Sequence, residues 1–372
     1  MIGLFPLKDG DALTAVRSFL QTLLSNDVVD ALYVPLESAE GQILPALVTD
    51  PARLESANPL APVMLVNGAR AISALTQKKA PARLGAVLRS CETRALVELV
   101  KLQQASLEDV LLIGVDCPGT YELADYQAIQ KEALFALEDA LQAAGRGEQL
   151  EGPDLRLACQ MCTQPIPEQA DIHLHIYGEG LAGGLFVEIG EELAEKLGLT
   201  PVLDYQVKKR QQVIEQVLGD KQKLREAEIS ALQARLGSNG SIAQMFAACL
   251  RCHNCMTACP ICYCKTCLFR TAAFDHPPEH YLNAAYRKGA IRLLGDTLLF
   301  HLTRMNHMAA SCVSCGMCSS ACPVDIPVGL IFSTIGTQVQ AAFGYTPGKD
   351  LQEPLPLVTF QANEWNEIGE VK

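Results

Sequence analysis

The sequence predicts a mixed α/β domain at the N-terminus joined to a mostly helical, cysteine-rich domain at the C-terminus. Two observations carry the first half. Short apolar runs look like buried strands, and amphipathic stretches alternate with them. A third observation carries the second half: of fifteen cysteines, eleven lie between Cys249 and Cys322.

Residues 11–25 read as an amphipathic helix, with Leu13, Val16, Leu20, Leu23 and Leu24 at helical spacing. "ALYVPL", "ILPALV", "PVMLV", "LGAVL" and "VLLIGV" read as strands, and "ARAISALTQ" and "ETRALVELVKLQQ" as helices among them. The alternation predicts a largely parallel sheet. A helix follows at about 125–144, and the glycine-rich "AAGRGEQLEGPD" closes a domain at residues 1–150. "DIHLHIYG" and "GLFVEIG" are two further strands in a continuation, 151–206. Residues 207–240 read as a helical connector, charged and poor in large apolar residues, ended by "GSNGS". The cysteine-rich domain takes 241–345, and 346–372 form an irregular tail.

Hydrophobic residues make up 49% of the 372 and charged residues 19%, enough for a sizeable core. The net charge of -12 disfavours a nucleic-acid-binding surface. No apolar run approaches the roughly 20 residues of a membrane span. The first twenty residues lack a basic segment followed by an apolar one, so no signal peptide is read. The expectation is a cytoplasmic protein that neither spans a membrane nor binds nucleic acid. In a reducing compartment its cysteines serve a metal or a cluster rather than a disulfide framework.

One internal repeat stands out. Cys249, Cys252, Cys255 and Cys259-Pro260 form C-x2-C-x2-C-x3-C-P, and Cys312, Cys315, Cys318 and Cys322-Pro323 repeat it. This is the run of two-cluster ferredoxins, in which the fourth cysteine of each run ligates the other cluster. One 4Fe–4S cluster is therefore assigned to Cys249, Cys252, Cys255 and Cys322, and a second to Cys312, Cys315, Cys318 and Cys259. A closed zinc site also takes four thiolates, but this doubled spacing with proline favours clusters. The C-terminal domain is thus expected to be ferredoxin-like. Of the seven cysteines outside the two runs, five are read as spare cluster ligands: Cys159, Cys162, Cys262, Cys264 and Cys267. Four of the five would hold a third cluster, bridging the two domains.

"CLRCHNCMTACPICYCKTC" and "SCVSCGMCSSACPVDIPVGLIF", with "CQMCTQPIPEQADI", "RSCETRALVELVKLQQ" and "GVDCPGTY" upstream, resemble the beta subunits of formate dehydrogenases. These belong to a wider family of beta subunits of coenzyme F420-reducing hydrogenases and dehydrogenases. The resemblance runs from about residue 30 to 350. It implies an α/β domain that binds FAD beside a 4Fe–4S cluster. It further implies that a hydride is exchanged at the flavin with coenzyme F420 or NAD(P)H, and that single electrons pass through clusters to or from a catalytic subunit. In formate dehydrogenases that partner carries molybdenum or tungsten on a pterin. Other members serve hydrogenase or heterodisulfide-reductase-like complexes. The alternative is a flavin-free iron–sulfur relay between such partners.

Candidate FAD contacts lie where strands feed helices, since helix N-termini suit a pyrophosphate. They are Asn67, Gly68 and Arg70 in the first turn, Arg89, Cys91, Glu92 and Arg94 in the second, and Asp116 and Cys117 in the third. No G-x-G-x-x-G fingerprint is present, so these assignments lean on the resemblance. No catalytic residue is assigned. His173 and His175, at i and i+2, share one strand face and read as ordinary strand residues, with a metal pair the alternative. His253 reads as a solvent-facing loop residue, with a hydrogen-bond donor to a cluster sulfur the alternative. His276, His280, His301 and His307 read as helix-surface or cluster-shielding residues.

Overall fold

A computed structural model describes residues 1–6, 11–78, 80, 82–148, 152–178, 184–237, 241–356 and 358. Its N-terminal half is built on one sheet of eight strands: β1 (Ile2–Phe5), β2 (Ala31–Glu37), β3 (Ile43–Val48), β4 (Leu84–Arg89), β5 (Val110–Val115), β6 (Ile172–Leu174), β7 (Leu185–Ile189) and β8 (Thr200–Pro201). Their spatial order is β3-β2-β4-β5-β6-β7-β1-β8. The centre, β2-β4-β5-β6, is parallel, and every pairing outside it is antiparallel. The sheet is therefore mixed rather than largely parallel, because hairpin-like returns at both ends replace helical crossovers.

The central strands are apolar on both faces because both faces are covered. Successive side chains of a strand point to opposite sides. On β2, Leu32 and Val34 enter one core while Ala31 and Tyr33 enter the other. Helix α1 (Ala12–Ser25) fills the first core with Val16, Phe19, Leu20 and Leu23, all fully buried. Asp11 starts this helix by accepting hydrogen bonds from the Leu13 and Thr14 amides, a cap of about 1 kcal/mol. The second core lies under α2 (Ala69–Thr76) and α3 (Ser90–Lys101) and continues without a break into the cysteine-rich half.

"PVMLV" is not a strand. Pro62 has no N–H to give a ladder. Val63 makes a single bridge to Tyr121, and the segment seals a small cluster with Tyr126 and Ile129. The helix expected at 125–144 is two, α4 (Leu123–Glu132) and α5 (Leu137–Gly145), parted where Ala133 turns left-handed at φ 48°. After α6 (Leu157–Gln160) and α7 (Glu191–Lys196) comes α8 (Val207–Gly237), about 46 Å long at 1.5 Å per residue. It is more than a solvated connector, since Arg210, Lys221 and Leu232 on it are buried.

The remaining helices are α9 (Ile242–Met245), α10 (Asn254–Ala258), α11 (Pro278–Lys288), α12 (Thr297–Met308), α13 (Met317–Ser320) and α14 (Val328–Ala342). The expected tail lies partly outside the described residues. Its described part, from Thr346, carries no helix or strand and folds back onto α3. Among the described residues no helix is long and apolar enough to cross a membrane.

Candidate iron–sulfur sites

The two cysteine runs fold alike. In the first, Arg251 and His253 flank Cys252 with φ of 56° and 61°. In the second, Ser314 and Gly316 flank Cys315 with φ of 57° and 73°. Left-handed residues at the same two places curl each run so that its thiols turn inward. The short helices that follow, α10 and α13, pack on each other. This exchanges the fourth cysteine of each run.

Cys249, Cys252, Cys255 and Cys322 line one small cavity with His253, Phe300 and His301. Burial pushes the Cys255 thiol up to about 11, so the thiolate needs a cationic partner to form. Donors point at the sulfurs. Arg304 Nη1 lies 3.0 Å from Cys255 Sγ, His301 Nε2 3.3 Å from Cys249 Sγ, and the Arg251 amide 3.4 Å from Cys249 Sγ. Buried Arg304 Nε and His253 Nε2 have no hydrogen-bond partner among the described residues. A bridging sulfide in this cavity would supply the missing acceptor. The donor set therefore fits a 4Fe–4S cluster. His301 is fully buried, stacked on Phe246 at 3.7 Å, and held neutral by burial and by Arg304 and His253, its pKa pushed down to about 3. His253 is half-buried and stacks on Phe300 at 4.6 Å, so it is not the solvent-facing residue expected. His307 is exposed, and His276 stacks on His280 at 4.2 Å.

Cys259, Cys312, Cys315 and Cys318 form a second group, each within electrostatic reach of others in the set. Burial raises all four, Cys315 to about 12. Arg304 acts on Cys255 of the first group and on Cys259 and Cys318 of the second, so it stands between them.

The five cysteines expected to supply the third cluster do not come together. Cys262, Cys264 and Cys267 neighbour one another beside Cys259. Cys159 and Cys162 instead line a cavity of about 270 Å³ on the α/β side, and the other thiols there are Cys91, Cys117, Cys312 and Cys315. The bridge between Cys159-Cys162 and "ICYCKTC" is absent because the second ferredoxin run, not the first, faces the sheet. Four cations line the same cavity: Arg94, Arg156, Lys221 and Arg225. Burial raises Cys117 to about 12. Cys159 goes the other way. Burial would raise it, but Arg156 at 3.5 Å and the Thr120 hydroxyl at 3.4 Å lower it.

Most residues expected to touch FAD are occupied elsewhere. Of the nine, Cys91, Arg94 and Cys117 line the thiol cavity. Arg89 is buried and donates to the carbonyls of Pro59 and Ala61. Glu92 accepts from the Gly68 and Arg89 amides. Asn67 caps the Ala69 amide, and Arg70 reaches the Thr257 carbonyl. Gly68 gives no room to a ligand, since a Cβ there would meet Leu88 at 2.8 Å and Tyr33 at 2.9 Å. Asp116 turns to Arg210 and His173. These side chains find their partners within the strand-end loops and the elements packed on them. A second cavity, about 460 Å³, shares Gly119 and Lys221 with the thiol cavity and is walled by Pro62, Tyr121, Leu141, Tyr177 and Leu224.

Sequence reasoning missed Cys91 and Cys117 as companions of Cys159 and Cys162. A signal was present. Each stands two residues beyond the end of a parallel strand, and Arg89 pairs with Val115 in the register. Paired strand ends bring residues at equal offsets side by side.

Residues 245–326 match the family model of the 4Fe–4S dicluster domain. The chain is 29% identical over 293 residues to the F420-dependent formate dehydrogenase subunit beta of Methanocaldococcus jannaschii, covering 72% of this chain and 74% of the relative. It is 26% identical over 306 residues to the F420-dependent formate dehydrogenase 1 subunit beta of Methanococcus maripaludis, covering 73% and 75%. A chain of the xenon-derivatised F420-reducing [NiFe] hydrogenase complex from Methanosarcina barkeri superposes at a TM-score of 0.43 with 13% identity, over 62% of this chain and 92% of that one.

Proposed function

We propose, from the premise that the chain belongs to the beta-subunit family represented by these formate dehydrogenase subunits, that it is the iron–sulfur electron-transfer subunit of an F420-dependent oxidoreductase complex. The formate chemistry would lie on a separate catalytic subunit. The observation that carries this is the row of three thiol groups: Cys91/Cys117/Cys159/Cys162, then Cys259/Cys312/Cys315/Cys318, then Cys249/Cys252/Cys255/Cys322. Neighbouring groups share a wall, because Cys312 and Cys315 line the first cavity and Arg304 joins the second group to the third.

Bound 4Fe–4S clusters would supply one-electron chemistry at each group. The chain's own residues then do the rest. Thiolates hold the clusters. Arg156, His301 and Arg304 donate to sulfur and so stabilise added negative charge. Arg94, Lys221 and Arg225 offset the charge of the first group.

FAD belongs to this reading through the family. The cavity of about 460 Å³ has a volume suited to an isoalloxazine ring, with Tyr121 and Tyr177 on its wall and Lys221 reaching both cavities. A hydride from coenzyme F420 would enter there. A flavin-free relay is the second reading. It is favoured by the internal use of Arg89, Glu92, Asn67 and Asp116.

Iron, acid-labile sulfide and flavin in the anaerobically purified chain test both. About twelve irons with one FAD, bleached by reduced coenzyme F420, support the first reading. About twelve irons with no flavin leave the relay. About eight irons overturn the three-group row.

A further inference from the structure

We propose that His173, His175 and Glu188 form a mononuclear divalent-metal site, suited to zinc, separate from the iron–sulfur row. His173 and His175 lie two apart on β6 and so face the same side of the sheet. Glu188 is the register partner of His173 on antiparallel β7. One ligand atom from each lies within 4.8 Å of the other two.

The outer nitrogens are already held. His173 Nε2 is 2.7 Å from Asp116 Oδ1, and His175 Nδ1 is 2.8 Å from the Tyr205 hydroxyl. Metal-binding histidines characteristically use the second ring nitrogen in this way, on a carboxylate or another oxygen. The inner nitrogens, His173 Nδ1 and His175 Nε2, then converge on Glu188 Oε2 at 3.8 and 3.3 Å. The His175 contact is a long hydrogen bond and the His173 contact lies beyond hydrogen-bond range, so neither nitrogen is tightly held by the carboxylate. The two separations bracket the edge of a tetrahedron with metal–ligand bonds of about 2.1 Å, which is roughly 3.4 Å. Two imidazoles and one carboxylate are a donor set for zinc with an open fourth position.

The frame is rigid. Asp116 also accepts from the Ile176 and Tyr177 amides at 2.8 and 3.0 Å and pairs with Arg210, which fixes the end of β6. The histidines are 8% and 3% exposed, whereas the Glu188 side chain is 58% exposed. Solvent therefore reaches the ligand set from the Glu188 side, where an ion enters and a water completes the coordination.

The test equilibrates the full chain, with its iron and sulfide in place, with zinc chloride and removes unbound metal. About one zinc per chain is expected, with nitrogen and oxygen neighbours at its X-ray absorption edge. Glu188→Gln and His175→Gln should each abolish retention while iron and sulfide stay at wild-type levels, and Tyr205→Phe should weaken it about tenfold. Three results would overturn the site: no retained zinc, zinc with sulfur neighbours, or retention equal in the wild type and both ligand variants. Glu188 is exposed enough for its variant to fold, and unchanged iron content verifies that it has.

Discussion

Arg210, on the long helix α8, meets the carboxylate of Asp116 at the end of β5 end-on with both terminal nitrogens, Nη1 2.5 Å from Oδ2 and Nη2 2.9 Å from Oδ1. Both groups are buried. The pair pins a highly charged helix to the sheet, and the helix in turn brings Lys221 and Arg225 to the thiol cavity. Arg210→Met leaves the buried Asp116 carboxylate without its guanidinium partner and should cost about 3–5 kcal/mol in denaturant unfolding. Burial alone would raise the Asp116 carboxyl, but Arg210 and His173 hold it far below its ordinary value of 3.8. A depressed folded pKa contributes stability that is fully present above the unfolded value and lost as pH falls through the lower range. The penalty of Arg210→Met should therefore be flat across neutral pH. A loss under about 1 kcal/mol would show that the pair does not hold the helix.

Cys91→Ser and Cys264→Ser should part company. Cys91 lines the cavity with Cys117, Cys159 and Cys162, whereas Cys264 neighbours Cys262 beside the ferredoxin runs. Cys91→Ser is expected to remove about four irons per chain and Cys264→Ser none. Iron analysis and the electron paramagnetic resonance of the reduced proteins read this directly. The reverse pattern would return the third cluster to the other cysteines.

His301→Phe keeps the stack on Phe246 but removes the nitrogen 3.3 Å from Cys249 Sγ. A hydrogen bond to a cluster sulfur stabilises the reduced, more negative state. The variant should keep its iron and shift one cluster's midpoint potential downward, on the order of tens of millivolts. Redox titration of wild type and variant reads the shift.

Glu98, fully buried on α3, staples the returning C-terminal segment. It accepts from the Tyr345 hydroxyl at 2.5 Å and from the Gly348 amide at 2.8 Å. Tyr345 and Pro347 line the thiol cavity. Glu98→Ala leaves buried donors unpaired, a loss of about 1–3 kcal/mol, and loosens that wall. Iron should then be stripped faster by a chelator, and an unchanged rate would mean that the segment does not guard the cavity.

The sequence by itself determined what depends on neighbours along the chain. The doubled C-x2-C-x2-C-x3-C-P run could be read because three thiols within seven residues reach one another whatever surrounds them. Helix α1 was legible from its apolar spacing, and β2, β4 and β5 from apolar runs that both cores require. "PVMLV" misled because an apolar run marks burial, not the partner that buries it. Tertiary structure alone decided which distant thiols meet. Cys91 and Cys117 follow different strands and Cys159 lies on α6, and the parallel register of β4 with β5 set the first two side by side. The same is true of Asp116, whose partner Arg210 lies ninety-four residues away, and of Glu188, which meets His173 only across an antiparallel pair. Periodicity carries information over a few residues, while sheet register and helix docking join positions whose separation in sequence has no fixed value.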